Sequence, residues 1–107
     1  FKGDCMKSDI IKCLESSLAV INNEENWCQG SYHKYNSLYN VDSYCAFGAI
    51  KDLNCSFNVR SFAKIALNKT AKMMGYSDAI SMNDETNHST VKTAFNLAIQ
   101  FVREGII

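Results

Sequence analysis

The run from Trp27 to Gly30 is the first group of residues whose types suit a binding site. It contains the single tryptophan of the sequence, and Gly30 permits a close approach of the backbone to a partner or ligand. An indole in a loop also serves as an anchor: the ring fills the open end of a helix bundle and its N–H bonds a carbonyl oxygen. The sequence favours the anchor and leaves binding open, with Trp27 and Gln29 as the binding candidates.

Cys45 is the candidate for covalent chemistry. The pattern predicts it at the start of a helix, where the helix N-terminus lowers the pKa of a thiol. A thiolate nucleophile needs a base, and His33 and His88 are the only histidines of the sequence. The spacing selects neither of them. An inert buried thiol is the favoured interpretation, and a thiol-dependent enzyme that uses Cys45 with His88 and Asp84 is the alternative.

Asn83, Asp84, Glu85 and His88 form the third group, just before the last predicted helix. Amide and carboxylate groups at such a place are typical caps and dipole partners of the helix. Asn83, Asp84 and His88 are also binding candidates, on the hypothesis that they face the Trp27 loop. Asp84, Glu85 and His88 lack the spacing of known metal motifs, so the sequence predicts no metal and no cofactor.

Helices are the elements that must position these groups. The sequence has no proline, and apolar residues recur at three- and four-residue steps, which is typical of amphipathic helices. We therefore expect an all-α fold, a compact bundle of about four helices. The predicted helices are residues 8–21, residues 44–53, a third helix that runs from a cap at Ser56 or Asn58 to Met74, and a last helix that runs from a cap at Thr86 or Asn87 to Gly105.

Two segments break the helical pattern. Residues 24–40 are rich in Asn, Ser, Gly and Tyr, and we interpret them as a long ordered loop with room for a short strand or turn. Residues 76–85 are predicted to be an irregular connector. The small residues of the second helix predict a central position for it. We expect the Trp27 loop and the turn from Asn83 to His88 to meet over the N-terminal end of this helix, as a structural lock or a shallow binding site.

Length and charge limit the function classes. The 107 residues make one domain, 1–107, in which residues 1–6 are expected to be a flexible or vector-derived end. Eleven basic residues balance eleven acidic ones, which excludes a polyanion binder that works through net charge. No apolar run is long enough to span a membrane. The one candidate surface for nucleic acid is the basic side of the third helix, which the sequence disfavours because four cations are too few: Arg60, Lys64, Lys69 and Lys72.

The cysteines bear on the cellular compartment. Their number is odd, their gaps are wide, and no Cys-x-x-Cys pair occurs among Cys5, Cys13, Cys28, Cys45 and Cys55. This pattern favours a reducing cytoplasm over a secreted disulfide framework, and it predicts no structural disulfide.

Three motifs occur in a fixed order: Trp-Cys-Gln-Gly at residues 27–30, Cys-Ala-Phe-Gly-Ala at residues 45–49, and Met-Asn-Asp at residues 82–84, followed by His88 at a helix start. Between about residues 14 and 99 the sequence resembles a family of small uncharacterised bacterial and phage proteins, a domain of unknown function. Met82 stands where that family often has Trp, and Asn87 where it often has Thr. The resemblance implies a bacterial or phage origin and a cytoplasmic setting, and it implies no activity.

The sequence thus favours a small non-enzymatic binding module that takes a protein partner or a small ligand. A phage or mobile-element accessory protein that acts on a host protein fits its size and neutrality. The thiol-dependent enzyme remains the alternative, and hydrogen bonding between Cys45 and a histidine distinguishes the two.

Overall fold

The chain folds into five helices and one β-hairpin within the described residues. A computed structural model describes residues 4–51 and 55–107, and side chains from residue 6 onward. The elements in chain order are α1 (Asp4–Val20), a 3-10 turn (Glu24–Asn26), β1 (His33–Asn36), β2 (Val41–Tyr44), α2 (Ala46–Lys51), α3 (Phe57–Met73), α4 (Ala79–Glu85) and α5 (His88–Glu104).

The three long helices, α1, α3 and α5, pack against one another and enclose the core. The caps of α3 and α5 are among those that the sequence offers. Ser56 Oγ accepts the N–H of Val59 at 3.2 Å at the start of α3. Asn87 Oδ1 accepts the N–H of Thr90 at 2.9 Å at the start of α5, which ends at Gly105 with a φ of 75°. These predicted helix ends are confirmed.

The short helix α2 lies in the middle of the fold and packs against α1, α3 and α4. Ala46, Gly48, Ala49 and Ile50 are all buried. A Cβ placed on Gly48 would lie 1.9 Å from the carbonyl oxygen of Tyr32, so the hairpin backbone touches the helix at a point where only glycine fits. The predicted central, closely approached helix is confirmed.

The expectation of an all-α fold is wrong, because residues 33–44 form an antiparallel hairpin. The register runs from His33 opposite Tyr44 to Asn36 opposite Val41, and Asn40 closes the turn with a φ of 54°. Most of the hairpin is exposed on both faces, so its sequence lacks the alternation that marks a half-buried strand. Contacts with distant parts of the chain order it instead. The fold is mixed, with helices predominating.

The predicted connector at residues 76–85 is also wrong, since most of it is α4. Asp78 caps this helix by accepting the N–H of Ser81 at 2.7 Å. Seven residues make only two turns, too few for a helical period to stand out.

Two predicted helix bounds shift as well. The second helix begins at Ala46 and not at residue 44, because Tyr44 belongs to β2, and its predicted end at residue 53 lies outside the described residues. The first helix begins at Asp4 and not at residue 8. Residues 4–6 of the end expected at residues 1–6 therefore belong to α1, and residues 1–3 lie outside the described residues.

No helix in the described ranges has the length and apolar character to cross a bilayer.

Candidate functional site

Asn83 joins three separate parts of the chain. Its side chain is buried, and its Oδ1 accepts the indole N–H of Trp27 at 2.7 Å and the backbone N–H of Ala46 at 3.0 Å. Its Nδ2 donates to the carbonyl oxygen of Cys28 at 3.0 Å and to Asp84 Oδ1 at 3.1 Å. An amide side chain offers two donor hydrogens and two acceptor lone pairs, so Asn83 uses its full capacity. We call this set of contacts the Asn83 junction.

Gln29 strengthens the junction at the end of α4. Its Nε2 lies 3.0 Å from the carbonyl oxygen of Asn83, 3.1 Å from that of Asp84 and 2.9 Å from that of Thr86. The first two carbonyls belong to the last turn of α4, where the helix supplies no partner, and the third belongs to its C-cap residue. The Gln29 amide therefore acts as a C-terminal cap, supplied by a loop more than fifty positions away.

Asp84 and His88 complete the convergence. The N–H of Gly30 donates to Asp84 Oδ1 at 2.9 Å, while the carboxylate itself stays exposed. The ring of His88 lies 5.7 Å from the ring of Trp27, centroid to centroid. His88 Nε2 is 2.6 Å from the carbonyl oxygen of Ile21 and must donate, because a carbonyl only accepts.

The structure thus brings together all five predicted binding residues: Trp27, Gln29, Asn83, Asp84 and His88. The predicted meeting of the Trp27 loop and the turn at Asn83 over the start of α2 is confirmed. The amide oxygen and nitrogen of Asn83 both bond to groups of the chain itself. The same holds for the indole N–H of Trp27, the amide of Gln29 and Nε2 of His88. These hydrogen bonds hold the base of the hairpin against α2 and α4.

Cys45 lies beside the junction, buried, at the residue before α2. Its Sγ accepts the N–H of Gly48 at 3.3 Å. Burial raises the pKa of the Cys45 thiol above its ordinary value and outweighs the lowering by the N–H groups of Gly48 and Phe47. The thiolate-stabilising effect expected from a helix N-terminus is therefore overcome by desolvation.

The two histidines are engaged away from this thiol. His88 Nε2 donates to Ile21, as described, and His33 Nε2 lies 2.8 Å from Asp42 Oδ1 on the exposed hairpin. Among the hydrogen bonds of the described residues, none joins Cys45 to either ring. A Cys–His pair needs such a bond for proton transfer, so this geometry does not favour the thiol-enzyme alternative.

A small pocket of about 160 Å³ opens next to the junction, between the base of the hairpin, α2 and α4. Its lining residues are Gly30, Ser31, Tyr32, Cys45, Phe47, Ile80, Asn83 and Asp84. Two cations flank it, with Lys51 Nζ 5.5 Å from the ring centre of Tyr32 and Lys64 Nζ 5.7 Å from that of Phe47. Pockets for drug-sized molecules measure roughly 300–1,000 Å³. This one has room for a single side chain.

Sequence reasoning missed the surface of the hairpin. Tyr32 is 51% exposed, Tyr35 59%, Leu38 89% and Tyr39 63%. We call these four residues the hairpin surface. Tyrosines are enriched at protein interfaces, where the ring packs against the partner and the hydroxyl remains in contact with water. The three tyrosines of residues 24–40 were the available signal, and without the hairpin they did not indicate a shared exposed element.

The two edges of the hairpin differ. The N–H of Cys45 donates to the carbonyl oxygen of Tyr32 at 3.2 Å, which makes the pair 32 and 45 a hydrogen-bonded pair of the ladder. Pairs of this kind alternate along an antiparallel ladder. The backbone groups of His33 and Tyr35 therefore point away from β2.

The outer edge of β2 is covered. Asn26 Nδ2 donates to the carbonyl oxygen of Asp42 at 2.9 Å, and the N–H of Cys28 donates to that of Tyr44 at 3.1 Å. On β1, no hydrogen bond within the described part of the chain involves the outward backbone groups of His33 or Tyr35. β1 is the open edge.

The four cations of the third helix do not form one free basic surface. Arg60 Nη1 donates to the carbonyl oxygen of Lys51 at 3.2 Å, and Lys64 lies over Phe47. Lys69 and Lys72 are exposed. Two exposed lysines are few for contact with a phosphate backbone.

Within the described residues, no three side chains of His, Cys, Asp or Glu come close enough to hold a metal ion. In comparisons with known proteins, no family model, no curated protein and no solved structure matches this chain.

Proposed function

We propose that this chain is a small non-enzymatic binding module that recognises a protein partner through its hairpin. The observation that carries the proposal is the hairpin surface: four large side chains, half to nine-tenths exposed, on a two-stranded element with one open edge. The bacterial and phage resemblance supports a cytoplasmic accessory protein of a phage or mobile element, acting on a host protein.

Large exposed apolar side chains that cluster are unusual on a soluble surface and mark interaction sites. Tyr35, Leu38 and Tyr39 lie within five positions at the turn end of the hairpin. Leu38 is almost fully exposed, so packing within the chain does not account for its presence at this position. Burial of such rings and a leucine against a partner supplies the apolar centre that a protein interface needs.

The Asn83 junction prepares this surface for binding. An isolated two-stranded hairpin is marginal in water, and ordering it on binding would cost affinity. Here the hairpin is already held at its base, where the Tyr32 carbonyl oxygen bonds Cys45 and Gln29 caps α4. The predicted site residues thus contribute to binding as anchors of the recognition element.

The open edge of β1 suggests the mode of recognition. The N–H and C=O groups of His33 and Tyr35 point outward, and a partner that supplies an extended segment would pair with them as a third strand. Successive side chains of the segment would then lie on alternate faces, beside Tyr35 on one face and beside Tyr32 on the other. The pocket beside Tyr32 has room for one of these side chains. A small-molecule ligand fits less well, since the pocket is below the usual size.

The test is an affinity capture from a bacterial lysate with quantitative mass spectrometry. The bait is the wild-type chain, and the test variant is Tyr35→Ser with Leu38→Ser. The matched control is Phe57→Ser, which removes a side chain that is 74% exposed on α3, away from the hairpin. We expect a partner that the wild type and the control retain and that the hairpin variant loses. A partner retained equally by all three baits contradicts the proposed surface.

A further inference from the structure

Cys13 and Cys55 are not part of the Asn83 junction, and their side chains lie close together in the structure. Their Sγ atoms are 3.4 Å apart, although the residues are separated by 42 positions. Cys13 lies on α1 and is buried, while Cys55 is half-buried just before the Ser56 cap of α3. Both are free thiols in this structure.

A reagent has access to this pair. Cys13 and Cys55 line one surface pocket of about 430 Å³. The other lining residues are Asp9, Lys12, Ser16, Ser56 and Val59. The pocket is large enough to admit part of a tripeptide reagent. Cys55 is the more exposed of the two cysteines. Attack on an incoming disulfide would therefore begin at Cys55.

Geometry also favours a bond between the two sulfurs. A disulfide needs about 2.05 Å between sulfurs, so they must approach by roughly 1.4 Å. Burial and the neighbouring Cys55 raise the pKa of the Cys13 thiol to about 12, so Cys13 is the poorer nucleophile of the two and the first attack falls to Cys55. The other two described cysteines engage different partners: Cys28 Sγ lies 3.5 Å from the Ser31 carbonyl oxygen, and Cys45 Sγ accepts from Gly48.

We propose that Cys13 and Cys55 are an oxidisable dithiol, which a small-molecule disulfide such as oxidised glutathione converts into a disulfide between α1 and the start of α3. The Cys55 thiolate attacks one glutathione sulfur, so the glutathione S–S bond breaks, a mixed disulfide forms and one glutathione thiolate leaves. Cys13 then loses its proton and its sulfur attacks Cys55 sulfur; the S–S bond between Cys55 and glutathione breaks, and the second glutathione leaves and takes up a proton. The two protein thiols lose two electrons and two protons, and one glutathione disulfide becomes two glutathione thiols.

The bond would change stability in a measurable direction. It closes a loop of more than forty residues, and cross-links over long loops restrict the unfolded chain most. We expect the Tm of the oxidised chain to exceed that of the reduced chain by roughly 10 °C or more. The site is independent of the hairpin, so failure of this inference and failure of the proposed function are distinguishable.

The test equilibrates the full chain with oxidised glutathione and, separately, with reduced glutathione. For the oxidised sample we expect an intact mass lower by two hydrogens, a non-reduced peptide that joins Cys13 to Cys55, and the higher Tm, all reversed by dithiothreitol. Cys55→Ser should show neither the cross-link nor the gain in Tm. Cys28→Ser is the matched control, since it also removes a half-buried thiol, and it should behave as the wild type does.

Three results would overturn the inference. The first is alkylation of all five thiols after exposure to the oxidised buffer. The second is a persistent glutathione adduct on Cys55, which would show that Cys13 does not resolve the mixed disulfide. The third is a cross-link that joins either residue to Cys5, Cys28 or Cys45.

Discussion

The indole N–H of Trp27 and the backbone N–H of Ala46 donate to the same oxygen, Asn83 Oδ1, at 2.7 Å and 3.0 Å. The first N–H groups of a helix have no partner within it, and here α2 obtains one from a side chain 37 positions further along the chain. The loop, the central helix and α4 therefore share one buried acceptor, and each depends on the other two for its position.

The first prediction concerns that acceptor. Asn83→Ala leaves the buried donors of Trp27 and Ala46 and the carbonyl of Cys28 without a partner, and each unsatisfied group costs about 1–3 kcal/mol. We expect the free energy of unfolding to fall by about 3 kcal/mol, measured by urea denaturation. Asn96→Ala, an exposed site on α5, is the control and should change it by less than about 0.5 kcal/mol. Equal, small effects of both substitutions would show that the junction contributes little.

The second prediction concerns Asp84, whose carboxylate is exposed although its Oδ1 accepts from Gly30 and Asn83. Because water can replace the carboxylate at the exposed Gly30 N–H, Asp84→Ala should cost only about 1 kcal/mol by urea denaturation. Asp84→Asn keeps an acceptor oxygen at this position and should recover part of that loss. A cost as large as that of Asn83→Ala would contradict the exposed geometry.

The sequence predicts well the features that depend on neighbouring residues. Ser56 and Asn87, each one of two candidate caps, cap α3 and α5, and they were in reach of prediction because a capping side chain reaches only two or three positions along its own helix. The small residues of α2 also indicated its central place. The convergence of the Trp27 loop with Asn83 was predictable because an indole and free helix N–H groups both need partners.

The hairpin and α4 escaped prediction for physical reasons. β1 reads His-Lys-Tyr-Asn, without the β-branched residues or the alternation that mark a strand, and it is ordered by its partner strand and by the contact of Tyr32 with Cys45. Asp78 was the available signal for α4, but the seven residues that follow it make too few turns to show a period. Contacts between residues far apart in the sequence stabilise both elements, and a local sequence pattern does not reveal such contacts.

The third prediction tests the contact between α2 and the hairpin. A Cβ on Gly48 would lie 1.9 Å from Tyr32 O and 2.8 Å from the carbonyl carbon, so either the hairpin base or the helix must move. Gly48→Ala should lower the free energy of unfolding by about 2–3 kcal/mol in urea, although alanine is the better helix former. It should also weaken partner capture, because Tyr32 lies on the hairpin surface. A stabilised variant would contradict the close approach.

The fourth prediction concerns the acid dependence of the α4 cap. The N–H of Ser81 holds the pKa of the Asp78 carboxyl below its ordinary value of 3.8. A carboxyl whose pKa is lower in the folded state stabilises the fold above the unfolded pKa, and this contribution is lost as the pH falls through the folded value. The urea midpoints of the wild type and of Asp78→Ala should therefore differ most near neutral pH. The difference should shrink below a pH of about 4. A difference that stays constant down to a pH of about 2 would exclude the charged cap.

The fifth prediction tests the open edge of β1 by hydrogen exchange of single amides. The ladder directs the N–H groups of Lys34 and Asn36 toward β2 and those of His33 and Tyr35 outward. In the unbound chain, His33 and Tyr35 should therefore exchange faster than Lys34 and Asn36, which provide the internal control. A partner that adds a strand should protect the two outward amides and leave the other two nearly unchanged. If a bound partner protects only side-chain surfaces and not these amides, recognition uses the hairpin surface without strand pairing.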